Sequence, residues 1–198
     1  MKLQHTQRGA TLIEVMVAIV VLAVGLFGMA ALTSSAARYN QFSRMRAAGL
    51  SLVGDYAERA RANTAGFASY AYTTAYAASS RTAATTDPTT AVADCEVKPL
   101  PSRVNDCGPA IASYDQLQWL TNVANRLPGG TAYVTAESIP APADVPGLPG
   151  TRVLNIWLIW SAIQEADGFQ LQKPCPKEAS ISTADLALVN CMYFRVTL

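Results

Sequence analysis

Five side chains hold the chemical interest of this sequence: the cysteines Cys95, Cys107, Cys175 and Cys191, and the carboxylate of Glu14. The cysteines are even in number, form no CxxC pair, and share the chain with one histidine, His5. This combination argues against a zinc centre and for two disulfides. Four cysteines allow three pairings, and nearest-neighbour pairing gives Cys95–Cys107 and Cys175–Cys191. Disulfides persist outside the cytoplasm. Glu14 stands out for a different reason. From Val15 to Leu32 every residue is apolar or glycine, and no charge occurs between Glu14 and Arg38. A carboxylate at the centre of a spanning helix costs about 2.5–3.5 kcal/mol, and somewhat less at its edge. Glu14 therefore requires a compensating partner.

Other chemistry finds little support. GxSxG, HExxH, P-loop and GxGxxG patterns are all absent, and His5 lies in the polar first nine residues. Asp115 and Glu137 are isolated in sequence, and Asp115 reads as a first-turn helix residue. Leu127-Pro128-Gly129-Gly130 is a helix stop, not a phosphate loop. No catalytic residue, metal or cofactor is expected. The net charge is +1 and only 15% of residues are charged, with no block of one sign. Neither a nucleic-acid footprint nor an acidic tail is indicated.

The elements that must position these groups follow from patterning. The apolar run is close to the roughly 20 residues that a helix needs to cross a bilayer. It exceeds the roughly 7–15 residues of a cleaved signal's apolar core. No proline occurs over 11–62, so one continuous helix of about 50 residues, about 75–80 Å long, is expected. Its first half is apolar all round. In its second half Tyr39, Phe42, Met45, Gly49, Leu52, Tyr56 and Ala60 form a stripe, and Asp55–Arg59 is an (i, i+4) ion pair.

Beyond it, 63–94 reads as a loop with a strand around 67–76, and prolines over 98–109 forbid regular structure. A helix is expected over 113–127, with Ser113-x-x-Gln116 as capping box and Leu117, Leu120, Ala124 and Leu127 as its apolar stripe. Strands are expected over 131–137, 151–161 and 192–198. The second is apolar on both faces, as in a central strand, and the third turns Met192, Phe194, Val196 and Leu198 inward. The segment 182–190 suits either a short helix or a strand. The fold class is α+β, with an antiparallel sheet laid on the amphipathic half of the long helix. Arg38, Arg44 and Arg46 nearly balance the basic residues before the apolar run, so the cysteines decide orientation and place the C-terminal part outside the cytoplasm.

At the head of the apolar run stands Arg8-Gly9-Ala10-Thr11-Leu12-Ile13-Glu14-Val15. This resembles the class III leader of the type IV pilin-like family, which includes the pseudopilins of type II secretion. The resemblance implies a leader over 1–9, cleavage by a prepilin peptidase between Gly9 and Ala10, and N-methylation of Ala10. The family usually has Phe or Met where this chain has Ala10. Glu14 would be the glutamate carried into the filament, where a neighbouring subunit's amine can neutralise it.

The same resemblance implies a membrane-spanning half over 10–35, an amphipathic half over 36–62 and a periplasmic head over 63–198. It implies a single pass through the inner membrane, and location in the pilus after assembly. Gly25 and Gly28, Asp115 and Trp119 on a short helix, the LPGG stop and a Trp-bearing strand are most similar to minor pilins. The implied partners are the prepilin peptidase, other minor pilins, the major pilin and the inner membrane. A minor pseudopilin shares the same anchor and is the alternative. A secretory signal cut near Ala36–Ala37, or an uncleaved anchor, would share only the apolar run. Leader removal leaves 13 basic against 14 acidic residues, which speaks against nucleic acid as a partner.

Overall fold

A computed structural model describes residues 11–76, 107–141, 150–161, 175–186 and 188–198. The chain divides into two compact units, Met1–Arg44 and Met45–Leu198. Helix α1, Leu12–Ala62, runs through both. It starts where the Glu14 and Val15 amides donate to the Thr11 carbonyl at 3.0 and 3.3 Å. Arg59 and Arg61 in its last turn oppose the negative end of the helix dipole. In the first unit its side chains are exposed almost throughout, Ala23 and Phe42 being half-buried.

In the second unit the same helix is one-sided. Gly49, Leu52, Val53, Tyr56, Ala57 and Ala60 are buried. At Gly49 the sheet side chains come close to the helix, since a Cβ there would meet the Met192 methyl. Asn63 ends α1 and opens a 3-10 helix, Thr64–Tyr70, its side-chain oxygen accepting from the Gly66 amide at 3.2 Å. This takes the first four residues of the strand expected over 67–76, and 71–76 is irregular. In a 3-10 turn residues three apart eclipse, so Phe67 and Tyr70 enter the core side by side. All that remains of the strand is a single bridge between Tyr72 and Val134.

Helix α2, Cys107–Arg126, begins six residues before the expected capping box. Pro109 sits in its first turn, where a missing amide leaves no intrahelical bond unmade. Ser113 is consequently inside the helix and donates back to the Pro109 carbonyl at 3.0 Å, while Gln116 donates to the Ala71 carbonyl at 2.9 Å. The rest of 98–109 lies outside the described residues. The buried stripe of α2 runs through Ala112, Trp119, Leu120, Val123 and the following Leu127, whereas Leu117 and Ala124 are only half-buried. Gly129, at φ 58°, turns the chain out of the helix.

The sheet is a three-stranded antiparallel meander: β1 Thr131–Ile139, β2 Thr151–Ser161 and β3 Val189–Thr197, in that spatial order. β2 is central, as its two apolar faces indicated. Leu154, Ile156, Leu158 and Trp160 meet the α1 stripe, and Met192, Phe194, Val196 and Leu198 pack on the same core as expected. On the other face Tyr133, Trp157 and Tyr193 lie in register, with ring centroids 6.0 and 4.7 Å apart. Over 182–190 both readings have a share: Ser182 caps a one-turn helix α3, Thr183–Leu186, by accepting from the Asp185 amide at 3.1 Å, and β3 begins at Val189. Architecture and class are α+β, with an N-terminal helix packed through its second half on the sheet.

Cys175 and Cys191 form a disulfide with 5.2 Å between Cα atoms, tying the segment before β3 to the strand's third residue. Cys107 is also disulfide-bonded. Its expected partner Cys95 lies outside the described residues. Closing a loop of 16 residues is worth about 3 kcal/mol on the chain-entropy scale. The variant C175S/C191S is therefore expected to lose about that much stability, read from the urea midpoint. A loss under about 1 kcal/mol would show that the turn is held by packing alone.

Candidate functional site

Gly9 and Ala10, the expected cleavage and methylation positions, lie outside the described residues. Glu14 is placed in the first turn of α1, exposed, and is the only acid there. The helix N-terminus favours a carboxylate, with backbone amides and dipole facing it. Its surroundings do not. Leu12, Ile13, Val15 and Met16 flank it at 49–79% exposure. Among the described residues Leu12–Ala62 is the one helix long and apolar enough to cross a membrane, and the most apolar window of it has no buried residue. Among the described residues the arrangement is a lone carboxylate at the edge of an unpartnered apolar cylinder. Such a group suits helix–helix assembly, in which an opposite charge arrives with the partner.

The second unit holds a group of functional-looking residues that local pattern did not reveal. The Arg59 guanidinium donates from Nε to Asp55 at 3.1 Å, as the (i, i+4) spacing predicted, and from Nη1 to Asp115 at 2.9 Å. Tyr70 donates its hydroxyl proton to the other Asp115 oxygen at 2.6 Å, and Tyr56 donates to the Tyr70 carbonyl at 2.7 Å. Asn63 donates to the Gly108 carbonyl at 2.7 Å. Burial pushes both phenols well above the usual tyrosine range, and the Asp115 carboxylate raises Tyr70 further. Burial lowers the Arg59 pKa, but the hydrogen bonds it donates to Asp115 and Asp55 outweigh it and the net shift is upward.

Asp115 is thus no isolated first-turn acid. It joins α1, the 3-10 helix and α2, and every charged member of the group has an internal partner. Tyrosines held neutral beside a salt-bridged carboxylate are a structural latch; they offer neither a free base nor a nucleophile. The sequence signal for it was faint: an acid and an arginine 56 positions apart. Arg61 and Arg152, beside the open cleft at the C-terminus, are engaged too, Arg61 by Glu58 and the Thr197 carbonyl and Arg152 over the Phe67 ring. Among the described residues no cluster of His, Cys, Asp and Glu could hold a metal ion.

A family model described as "Prokaryotic N-terminal methylation motif" matches residues 4–30. No curated protein and no solved structure matches the chain. The motif spans the Arg8-Gly9 junction, Glu14 and most of the apolar run, and supports a type IV pilin-like or pseudopilin-like protein carrying a prepilin leader.

Proposed function

We propose that this chain is a minor pilin of a type IV pilus, acting in the priming or tip complex through helix–helix packing of α1 and contacts of the head. The observation that carries this reading is Glu14. It stands five residues beyond Gly9, in the first turn of an exposed apolar helix, within the segment that matches the methylation motif. The prepilin peptidase would cut between Gly9 and Ala10 and methylate Ala10. The mature chain would stay in the inner membrane with its head in the periplasm until it joins other minor pilins and the major pilin. A protein with this role is structural and not an enzyme.

Two features favour the minor pilin PilV, the type IV pilus modification protein, over a minor pseudopilin. Beyond the adjoining backbone of their own helix, Gly25 and Gly28 have no atom of the described residues within 4 Å of where a Cβ would stand. Their missing side chains serve no packing inside the unit and leave room for a neighbouring helix. Asp115 and Trp119 of α2, the Leu127-Pro128-Gly129-Gly130 stop and the Trp-bearing β2 follow the PilV-like order.

Mass spectrometry of the purified membrane form is expected to give an N-terminus at Ala10, methylated. A start at Met1 or near Ala37 would remove the prepilin reading. Affinity capture of the processed chain from membranes is expected to bring other minor pilins and not pseudopilins; the reverse would assign it to the secretion machine.

A further inference from the structure

Between Glu14 and Asp55 the chain carries three arginines, Arg38, Arg44 and Arg46, and no acid. Arg38 and Arg44 are exposed, and among the described residues neither takes part in an ion pair. Their distance from the apolar run is informative, on the membrane-spanning reading proposed above. The 18 residues from Val15 to Leu32 rise about 27 Å as a helix, close to the roughly 30 Å of a bilayer core. Arg38 lies six residues beyond Leu32, about 9 Å, where a headgroup layer of about 5–8 Å ends. An arginine stem that folds back reaches the phosphates from there. Tyr39 beside it is 57% exposed and is of the aromatic kind that gathers at this interface.

Arg44 stands about 9 Å further along. Its long stem can bring the charge to within about a Debye length, roughly 8 Å, of the phosphate plane. The six-residue step also turns the helix by about 240°, so the two guanidinium groups leave from different sides. One flat protein surface would meet one of them. A headgroup layer surrounds the helix and meets both. At the other end Lys2 and Arg8 precede Gly9, so processing there would leave these arginines as the basic side chains flanking the span.

We propose that Arg38 and Arg44 form a cationic collar that binds the phosphates of anionic phospholipids in the leaflet from which α1 emerges. The collar fixes how deep the unassembled subunit sits, and these contacts must be released when the helix moves into a filament. Arg46 belongs to the second unit and stays unchanged in the test, so the readout comes from one body.

The processed full-length chain is reconstituted in phosphatidylcholine vesicles containing a minor share of phosphatidylglycerol. Electron spin resonance then measures its relative association with spin-labelled phosphatidylglycerol and phosphatidylcholine. The wild-type chain is expected to prefer phosphatidylglycerol. Arg38→Gln with Arg44→Gln is expected to cut that preference, by about fivefold for each arginine. Arg38→Lys with Arg44→Lys is expected to keep most of it. Salt at 1 M should weaken it, and millimolar inorganic phosphate should leave it unchanged. Equal preference in wild type and the glutamine variant overturns the collar. So does competition by free phosphate, or a wild-type chain indifferent to lipid charge, which would assign the arginines to an acidic protein surface. If alkali strips the wild-type chain from the vesicles, the spanning segment itself is refuted and the collar falls with it; retention with no lipid preference refutes the collar alone.

Discussion

Glu14→Leu is expected to yield a processed monomer that stays in the inner membrane and is missing from sheared pili. The substitution makes the spanning segment more apolar, so insertion is unchanged or improved. On the processing proposed above cleavage is expected to survive, because the peptidase would act at Gly9, more than one helical turn away. On the minor-pilin reading proposed above, assembly is where the carboxylate acts. A neighbouring subunit's N-terminal amine, buried against Leu instead of Glu, keeps its desolvation cost and loses its counter-charge, a penalty on the order of several kcal/mol. Since 1.4 kcal/mol is already a factor of ten, the sheared fraction should hold at least about tenfold less of the variant at equal membrane abundance. Glu14→Gln separates charge from polarity and should fail almost as completely. Wild-type incorporation of Glu14→Leu would reduce this carboxylate to the tail of a polar leader, and the assembly mechanism would go with it.

That Glu14 could be singled out from sequence has a simple reason: one charge in a long apolar run is conspicuous without knowledge of any neighbour. Its partner was not legible, because on this reading the partner belongs to another molecule. The same division runs through the fold. α1 was legible because 52 residues, 11–62, lack proline. β2 was legible as central because both its faces are apolar, and β3 because its alternation puts Met192, Phe194, Val196 and Leu198 on one side. The start of α2 was not, since Pro109 reads as a breaker until its place in the first turn is known. The 3-10 helix was hidden by its small residues. Thr64–Tyr70 has the composition of a loop, and Phe67 and Tyr70 gain their common direction only from the turn itself. Asp115 was misjudged because its partners, Arg59 and Tyr70, lie 56 and 45 positions away, beyond the reach of any local pattern.

Trp119→Ala is expected to be among the costliest single changes in the Met45–Leu198 unit, at about 3–5 kcal/mol. The side chain is fully buried, and its ring stacks on Tyr56 with centroids 4.1 Å apart at 23°. Its indole N–H donates to the Leu52 carbonyl at 2.8 Å, which fixes α2 against α1 across 67 positions of sequence. Truncation leaves a cavity between these helices and removes one wall of the Tyr56 site, whose hydroxyl anchors the 3-10 helix through the Tyr70 carbonyl. Trp119→Phe keeps most of the ring and loses the donor. It should cost about 1–2 kcal/mol, because Leu52 O also lies in a helix whose own bonds it can use. Trp157→Ala is the control. Trp157 is as large but half-buried on the opposite face of the sheet, so its removal opens no closed cavity and should cost less than Trp119→Ala. Small domains have about 5–15 kcal/mol in total, so Trp119→Ala alone should lower the urea midpoint by about a fifth or more. If Trp157→Ala proved the more damaging of the two, the core joining α1 to the head would have to be sought on the outer face of the sheet and not at the helix pair.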